Sequence, residues 1–307
     1  MIDLWKGIAN TWDCDEMGHM NVRVYIQKAF EGLGHLAGAC HLSHAFKPSS
    51  PSTLVPAEQH IRFIREAHPG RPLNMVGCTL DVDETSTTVY QEMRHGDGSV
   101  AAAFRTRLLH VDATSLKPFP WNARTRAALE ALHGEPPAAT APRGLDLSVA
   151  PSPTDEISRE IASERGAKVI GLGMVPPADC DVFGRMNPHM FIGRISDSVP
   201  NLLHDWRSRV ASSVPGQEMG GAVLENRIIY RRWPKAGDLF EVRSSLGRVE
   251  EKVHSLIHWM LDPDTGKPWM TAEAVAVTFD LKKRKVIPTP AALMDELATI
   301  APGGLYL

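Results

Sequence analysis

Two short stretches hold the residues best suited to chemistry. Residues 11–22 read TWDCDEMGHMNV, and residues 178–188 read ADCDVFGRMNP. Each supplies Asp-Cys-Asp, then a glycine, then Met-Asn, at matching intervals. In the first, His19 follows Asp15, and Asn21 and Val22 stand where a helical pattern begins. A carboxylate placed just upstream of a helix suits removal of a proton from water, or direct attack on a carbonyl carbon. Backbone N–H groups at a helix start lack intrahelical acceptors and carry the positive end of the dipole. The Val22 N–H therefore suits polarisation of a carbonyl oxygen. Asn21 suits the cap of that helix. His19 either orients substrate and water or stitches the loop together.

The second stretch keeps Asp181 and Asn187 but carries Arg185 in place of His19 and Pro188 in place of Val22. Proline fits the first turn of a helix yet has no N–H to offer. The pattern predicts one competent site around Asp15 and a weakened, retuned or retired one around Asp181.

The correspondence extends beyond the motif. Asp15 and Asp181 stand 166 residues apart, as do Gly18 and Gly184, Asn21 and Asn187, Ile26 and Ile192. Glu58 and Glu225, Arg65 and Arg232, and Gly70 and Gly237 stand 167 apart; Asp112 and Asp280, 168. So slow a drift needs only two single-residue insertions, which loops absorb. A period this long means duplicated domains and not a solenoid.

Each copy must position its loop with similar elements. A strand near Asp3–Ala9 leads into the loop, and a helix follows over about Val22–His41, with Ile26, Phe30, Leu33, Ala37 and Cys40 on one face. The second copy answers with Ile192, Ile195, Val199, Leu202 and Trp206. Four strand-like segments follow each helix, and HGDG and DPDTG carry the residues expected of turns between antiparallel strands. The reading is α+β: a first domain over 1–133, a Pro/Ala-rich linker over 134–153, and a second domain over 154–307. NARTRAALEALH reads as a short helix between the copies, and Thr154 reads as the cap of a helix opening the second.

A long helix with an antiparallel sheet, preceded by an Asp-containing loop, resembles the hotdog fold. DCDEMGHMN resembles the 4-hydroxybenzoyl-CoA thioesterase-like motif Asp-x-Asp-x-x-Gly-His-x-Asn, and the chain is also similar to the acyl-ACP thioesterases, which are tandem hotdogs. ENRIIYRRWPKAGD fits the same families' Glu…Tyr…Pro…Gly-Asp strand and turn. The resemblance implies two fused hotdog domains that hydrolyse an acyl thioester of coenzyme A or acyl carrier protein, with Asp15 as general base or nucleophile. It implies no cofactor beyond the thioester substrate. Plant acyl-ACP thioesterases carry an asparagine two residues after the aspartate; here that place is Met17.

Further candidates stand beside the motif. Glu58 and Glu225 hold equivalent strand positions and either assist with water or are simply partnered. Arg65, Arg231 and Arg232 suit the phosphates of coenzyme A, or else end solvated strands. Cys40, His41 and His44 have a metal-like spacing without a complementary pair of ligands, so no metal is expected. NPHM, at 187–190, resembles the hydratase Asn-Pro-x-His signature one residue short, which keeps a hotdog hydratase or dehydratase as an alternative. A non-catalytic acyl-thioester binder is the other.

The totals bound these readings. In 307 residues, 43% are hydrophobic and 22% charged, as in a soluble globular protein. A net charge of −3 gives no global attraction to nucleic acid or to an anionic membrane. No apolar run is long enough to span a bilayer, and the N-terminus lacks the pattern of a secretory signal. Cys14 and Cys180 occupy the same place in each copy, which favours four reduced thiols and a cytoplasmic setting. Tandem hotdogs mimic a dimer and often pair further, so a homodimer of such chains is compatible with the reading.

Overall fold

Asn21 turns the chain into its first long helix. Its backbone is extended (φ −62°, ψ 141°), and its side-chain oxygen accepts the Arg23 N–H at 2.9 Å, a cap interaction. The helix, α1, runs Val22–Ala39 in this computed structural model, which describes residues 1–213, 219–250, 252–280, 282–283 and 285–307. Its buried face comprises Val24, Tyr25, Ile26, Ala29, Gly32, Leu33, Leu36 and Ala37. Phe30, expected on that face, is only half-buried, because the face is centred on Ile26, Ala29 and Leu33. Burying each large aliphatic side chain contributes roughly 1.5–3 kcal/mol.

The described chain forms two compact units. One comprises Met1–Ala141 with Cys180–Ile192; the other comprises Pro142–Asp179 with Gly193–Leu307. The first contains β1 (Ile2–Ile8), β2 (Ser52–Phe63), β3 (Pro72–Val82), β4 (Ser86–His95) and β5 (Val100–Asp112), paired antiparallel in the order β1-β3-β4-β5-β2. α1 packs on β1 and β3. It approaches closely at Gly32, where an added Cβ would lie 3.3 Å from Leu4 Cβ and from Met75 Sδ. Buried Gln91 donates to the Ala29 carbonyl at 2.8 Å, tying the sheet to the helix. A short helix, α2 (Ala123–Ala131), follows β5, capped by Asn122.

The second unit repeats the plan. β6 (Lys168–Met174), β7 (Met219–Tyr230), β8 (Leu239–Val249), β9 (His254–Leu261) and β10 (Pro268–Asp280) pair in the order β6-β8-β9-β10-β7, and β11 (Lys285–Ile287) adds to β10. This is the expected α+β architecture in both copies. Leu281, at the end of the last strand-like segment, lies outside the described residues.

Two local expectations change. The helix opening the second copy is α3 (Arg159–Glu164), capped by Ser158, whose Oγ accepts the Ile161 N–H at 3.3 Å; Thr154 instead begins a 3-10 turn. The long helix of the second copy is broken into α4 (Pro188–Ser198) and α5 (Pro200–Ser213). Pro200 disfavours helical backbone at Val199 and lacks the N–H that would continue the ladder, so α5 restarts at the proline. The chain ends with α6 (Ala291–Ile300).

The linker is strapped down on each side. Thr140 is 1% exposed and bonds Tyr90 Oη at 2.8 Å. Further on, Arg227 donates to the Asp146 and Val149 carbonyls.

Candidate active site

The loop before α1 closes on itself. Cys14 bridges Met20, the Asp15 N–H donates to the His19 carbonyl at 3.0 Å, and the Asn21 N–H donates to the Asp13 carbonyl at 2.9 Å. Gly18 takes φ +78°, a left-handed turn position that glycine adopts without strain. This small ladder carries Asp15 and His19 to the start of α1. Asp15 Oδ1 accepts the Met17 N–H at 3.0 Å, and Oδ2 lies 3.4 Å from His19 Nδ1. Of the amides around the helix start, Arg23 N–H is held by the Asn21 side chain and Val24 N–H by the Asn21 carbonyl. The Val22 N–H has no acceptor among the described residues.

A second wall comes from the segment after β2. The Met20 N–H donates to the Ala67 carbonyl at 2.8 Å, and the Ala67 N–H donates to Tyr25 Oη at 3.0 Å. Burial pushes the Tyr25 phenol up to about 12, with the Asp15 charge adding to the shift, so it keeps its own proton. These two bonds place Glu66 beside the loop: its Oε1 lies 3.9 Å from His19 Nε2, and its Oε2 lies 3.6 Å from His68 Nε2. His68 Nδ1 stands 3.3 Å from the Gly18 carbonyl. Thus His19 sits between two carboxylates, Asp15 on one ring nitrogen and Glu66 on the other. Neither Glu66 nor His68 belongs to the Asp motif. The duplication did not mark them either, since Trp233 and Lys235 stand at the equivalent places of the second copy.

The matching loop of the second copy has the same backbone. Asp181 N–H donates to the Arg185 carbonyl at 2.7 Å, Cys180 bridges Met186, and Gly184 has φ +75°. Its carboxylate differs. Oδ1 accepts the Phe183 and Arg185 N–H groups at 2.8 and 3.0 Å, and Oδ2 accepts Arg185 Nε and Nη2 at 3.0 and 2.8 Å. Both oxygens of Asp181 are thus filled, whereas Asp15 turns one oxygen toward an imidazole.

The remaining candidates are dispersed. Glu225 is buried and accepts the Arg143 and Gly144 N–H groups at 3.1 and 2.6 Å, so it fastens the linker. Glu58 lies at a β2 irregularity, opposite Arg107. Arg65 is exposed and bonds Ser99 Oγ at 2.7 Å. Arg231 bonds the Ser152 carbonyl at 2.9 Å, and burial lowers its guanidinium to about 10. Arg232 pairs with Asp262 at 3.0 Å and stacks 4.0 Å from the Trp269 ring. Neither unit gathers these three arginines into a phosphate cradle: Arg65 lies in the first unit, and Arg231 and Arg232 are engaged within the second. No disulfide joins the four cysteines among the described residues, and burial lifts the Cys40 thiol to about 11. A surface cavity of about 320 Å³, lined by Lys168, Trp206 and Arg209 among others, contains none of the residues singled out in the sequence for chemistry. No helix among the described residues is long and apolar enough to cross a membrane.

With fold and loops in view, comparison with known proteins is direct. The model of the thioesterase-like superfamily matches residues 9–129 and again 175–297. The chain belongs to that superfamily, as a tandem of two hotdog domains. Among solved structures it is similar to an acyl-ACP thioesterase from Bacteroides thetaiotaomicron, with TM-score 0.63 and 13% identity over 89% of this chain and 96% of that one. It is also similar to the 12:0-ACP thioesterase from Umbellularia californica, with TM-score 0.63 and 9% identity over 89% and 93%. At such identities these likenesses speak for the fold. No curated protein matches by sequence.

Proposed function

We propose that the protein hydrolyses an acyl thioester, carried on coenzyme A or on an acyl carrier protein, to a free acid and a thiol. One observation carries the reading: of two matched loops, only the first leaves a carboxylate oxygen facing an imidazole beside a helix start with an uncommitted amide. Asp15 takes the proton of a water that His19, flanked by Asp15 and Glu66, helps to orient. The water oxygen bonds to the carbonyl carbon. The charge that builds on the carbonyl oxygen is met by the Val22 N–H and the positive end of α1. Collapse breaks the carbon–sulfur bond, and the thiolate recovers the proton held by the site. Asn21 acts as the cap that fixes this amide. Membership in the superfamily supports the reaction class, and the ACP thioesterase descriptions of similar structures support a thioester substrate. Four cysteines without a disulfide suit a reducing, cytoplasmic setting.

Thiol release from a panel of acyl-CoAs tests the reading. Asp15→Asn is expected to lower kcat by about 10²–10⁴-fold, and Asp181→Asn by far less; equal losses would refute the assignment to one loop. Loss of an enoyl chromophore without thiol release would instead identify a hydratase. Tight acyl-CoA binding without turnover would identify a binder. Single turnover in ¹⁸O-water separates a general base from a nucleophile, since only a nucleophilic Asp15 takes label into its own carboxylate.

A further inference from the structure

Glu66 and His68 lie outside the Asp motif, yet they close a ring of contacts around it. His19 Nδ1 faces Asp15 Oδ2 at 3.4 Å, and its Nε2 faces Glu66 Oε1 at 3.9 Å. Glu66 Oε2, a buried atom, faces His68 Nε2 at 3.6 Å, and His68 Nδ1 faces the Gly18 carbonyl at 3.3 Å. The ring returns to Asp15 through the backbone, since the Gly18 N–H donates to the Asp15 carbonyl at 3.0 Å. The side chains of Asp15, His19 and Glu66 are 17%, 25% and 29% exposed, so solvent ions screen their contacts less than those of a surface pair.

Every nitrogen of these two imidazoles thus faces an oxygen acceptor. A neutral imidazole has one N–H and serves one acceptor, while its other nitrogen turns a lone pair on the second. The doubly protonated ring serves both. With Glu66 on Nε2, a proton at Nδ1 is the arrangement that meets Asp15, because the far nitrogen has its own acceptor and no reason to turn the ring. The segment after β2 supplies Glu66 and His68, the loop supplies Asp15, and α1 adds the Tyr25 phenol, which stays protonated within the field of Asp15. The second copy differs on both counts. Arg185 holds Asp181 with two N–H groups and keeps its charge unaided. At the place of Glu66 stands Trp233, whose ring stacks on Tyr230 at 5.5 Å. The additional carboxylate accompanies the histidine and is missing where an arginine stands instead.

We propose that Glu66 is a positioning residue that keeps an N–H of His19 aimed at Asp15, and that His68 holds Glu66 to this task. Glu66 acts through the imidazole and not on the reacting atoms. An N–H directed at Oδ2 fixes the Asp15 carboxylate beside the helix start, where it takes a proton from water or attacks the carbonyl carbon. The proposal rests on the hydrolase reading for the step that Asp15 performs, but not for the way His19 is held.

The test is a double-mutant cycle on thiol release from the acyl-CoA panel. Glu66→Gln keeps the shape and removes the charge; it is expected to lower kcat about fivefold with KM nearly constant. His68→Asn leaves an amide donor for the Gly18 carbonyl and removes the nitrogen facing Glu66, so a smaller loss of the same kind is expected. In a His19→Gln background, Glu66→Gln is expected to cost nothing further. An equal loss in both backgrounds would overturn the proposal, placing Glu66 on the reacting water or in the scaffold, and so would wild-type kcat in Glu66→Gln. Melting curves check folding; should Glu66→Gln not fold, His68→Asn, at an exposed position, is read in the same cycle. The ring ¹⁵N resonances of His19, identified by their absence in His19→Gln, give a readout without turnover. The wild type is expected to show a protonated Nδ1, and Glu66→Gln to lose part of that signal at the same pH. If the wild type releases no thiol from any acyl-CoA, the hydrolase reading falls and these resonances decide alone: a change in Glu66→Gln keeps the positioning role, and unchanged resonances end it.

Discussion

Val22→Pro isolates a single hydrogen-bond donor, because proline is well accommodated at the first position of a helix. The extended backbone of Asn21 is compatible with a following proline. The variant should fold with α1 intact and lose about 10²–10³ in kcat, the usual cost of removing one oxyanion donor. Near wild-type turnover, with an unchanged melting temperature, would remove the Val22 amide from the mechanism. Asp15, His19, Asn21 and Val22 were legible in the sequence because they share one continuous motif. Glu66 and His68 were not. They lie on a segment outside any periodic pattern, and only the bonds Met20–Ala67 and Tyr25–Ala67 bring them to the loop. Arg231 and Arg232 stayed open between two readings for a related reason: a basic side chain looks alike in sequence whether it awaits a phosphate or already holds Asp262 or a linker carbonyl.

Strands and helices are the level at which Glu66 is held in place. Tyr25→Phe removes the acceptor of the Ala67 N–H, and leaving that buried donor unmet costs about 1–3 kcal/mol. The expected signature is a fall in kcat with KM nearly constant, alongside a lower melting temperature; a change in KM alone would contradict the positioning role. Elsewhere in the same sheet, Gly77 on β3 leaves room for the Leu4 side chain of the neighbouring strand β1. A Cβ there would lie 2.5 Å from Leu4 Cδ1 and 2.7 Å from the Tyr90 carbonyl oxygen. Gly77→Ala should therefore cost about 1–3 kcal/mol by overpacking, read as a reduced urea midpoint with unchanged m. Strand order was legible only as a likeness between copies, since alternation and turns mark strands but not their neighbours. The break between α4 and α5 was present as Pro200, yet the apolar face continues through Leu202 and Trp206 and concealed it.

For the whole molecule, the clearest expectation concerns acid. His254 and His258 lie on β9, and burial pushes both imidazoles down to about 4, with the Arg207 charge adding to the shift at His254. Both are neutral in the folded protein at pH values where the unfolded chain, titrating near 6.5, takes up protons. Below about 6.5 the unfolded state binds more protons, so stability falls with pH until about 4. Each histidine contributes on the order of 3 kcal/mol over that window. Chemical unfolding at pH 7.5, 6 and 5 should show the decline, and His258→Gln should flatten it; a pH-independent unfolding free energy would contradict the buried neutral state.

The contrast between the loops at Asp15 and Asp181 also bears on how such a chain can change over generations. In an assembly of identical protomers, one gene writes every loop, and any substitution that retires one centre retires all of them. Here the two loops are separate stretches of one gene, so Arg185 and Pro188 were free to arise without touching His19 and Val22. Fusion thereby turns a spare copy into raw material, able to take on a new task while its sibling keeps the old one.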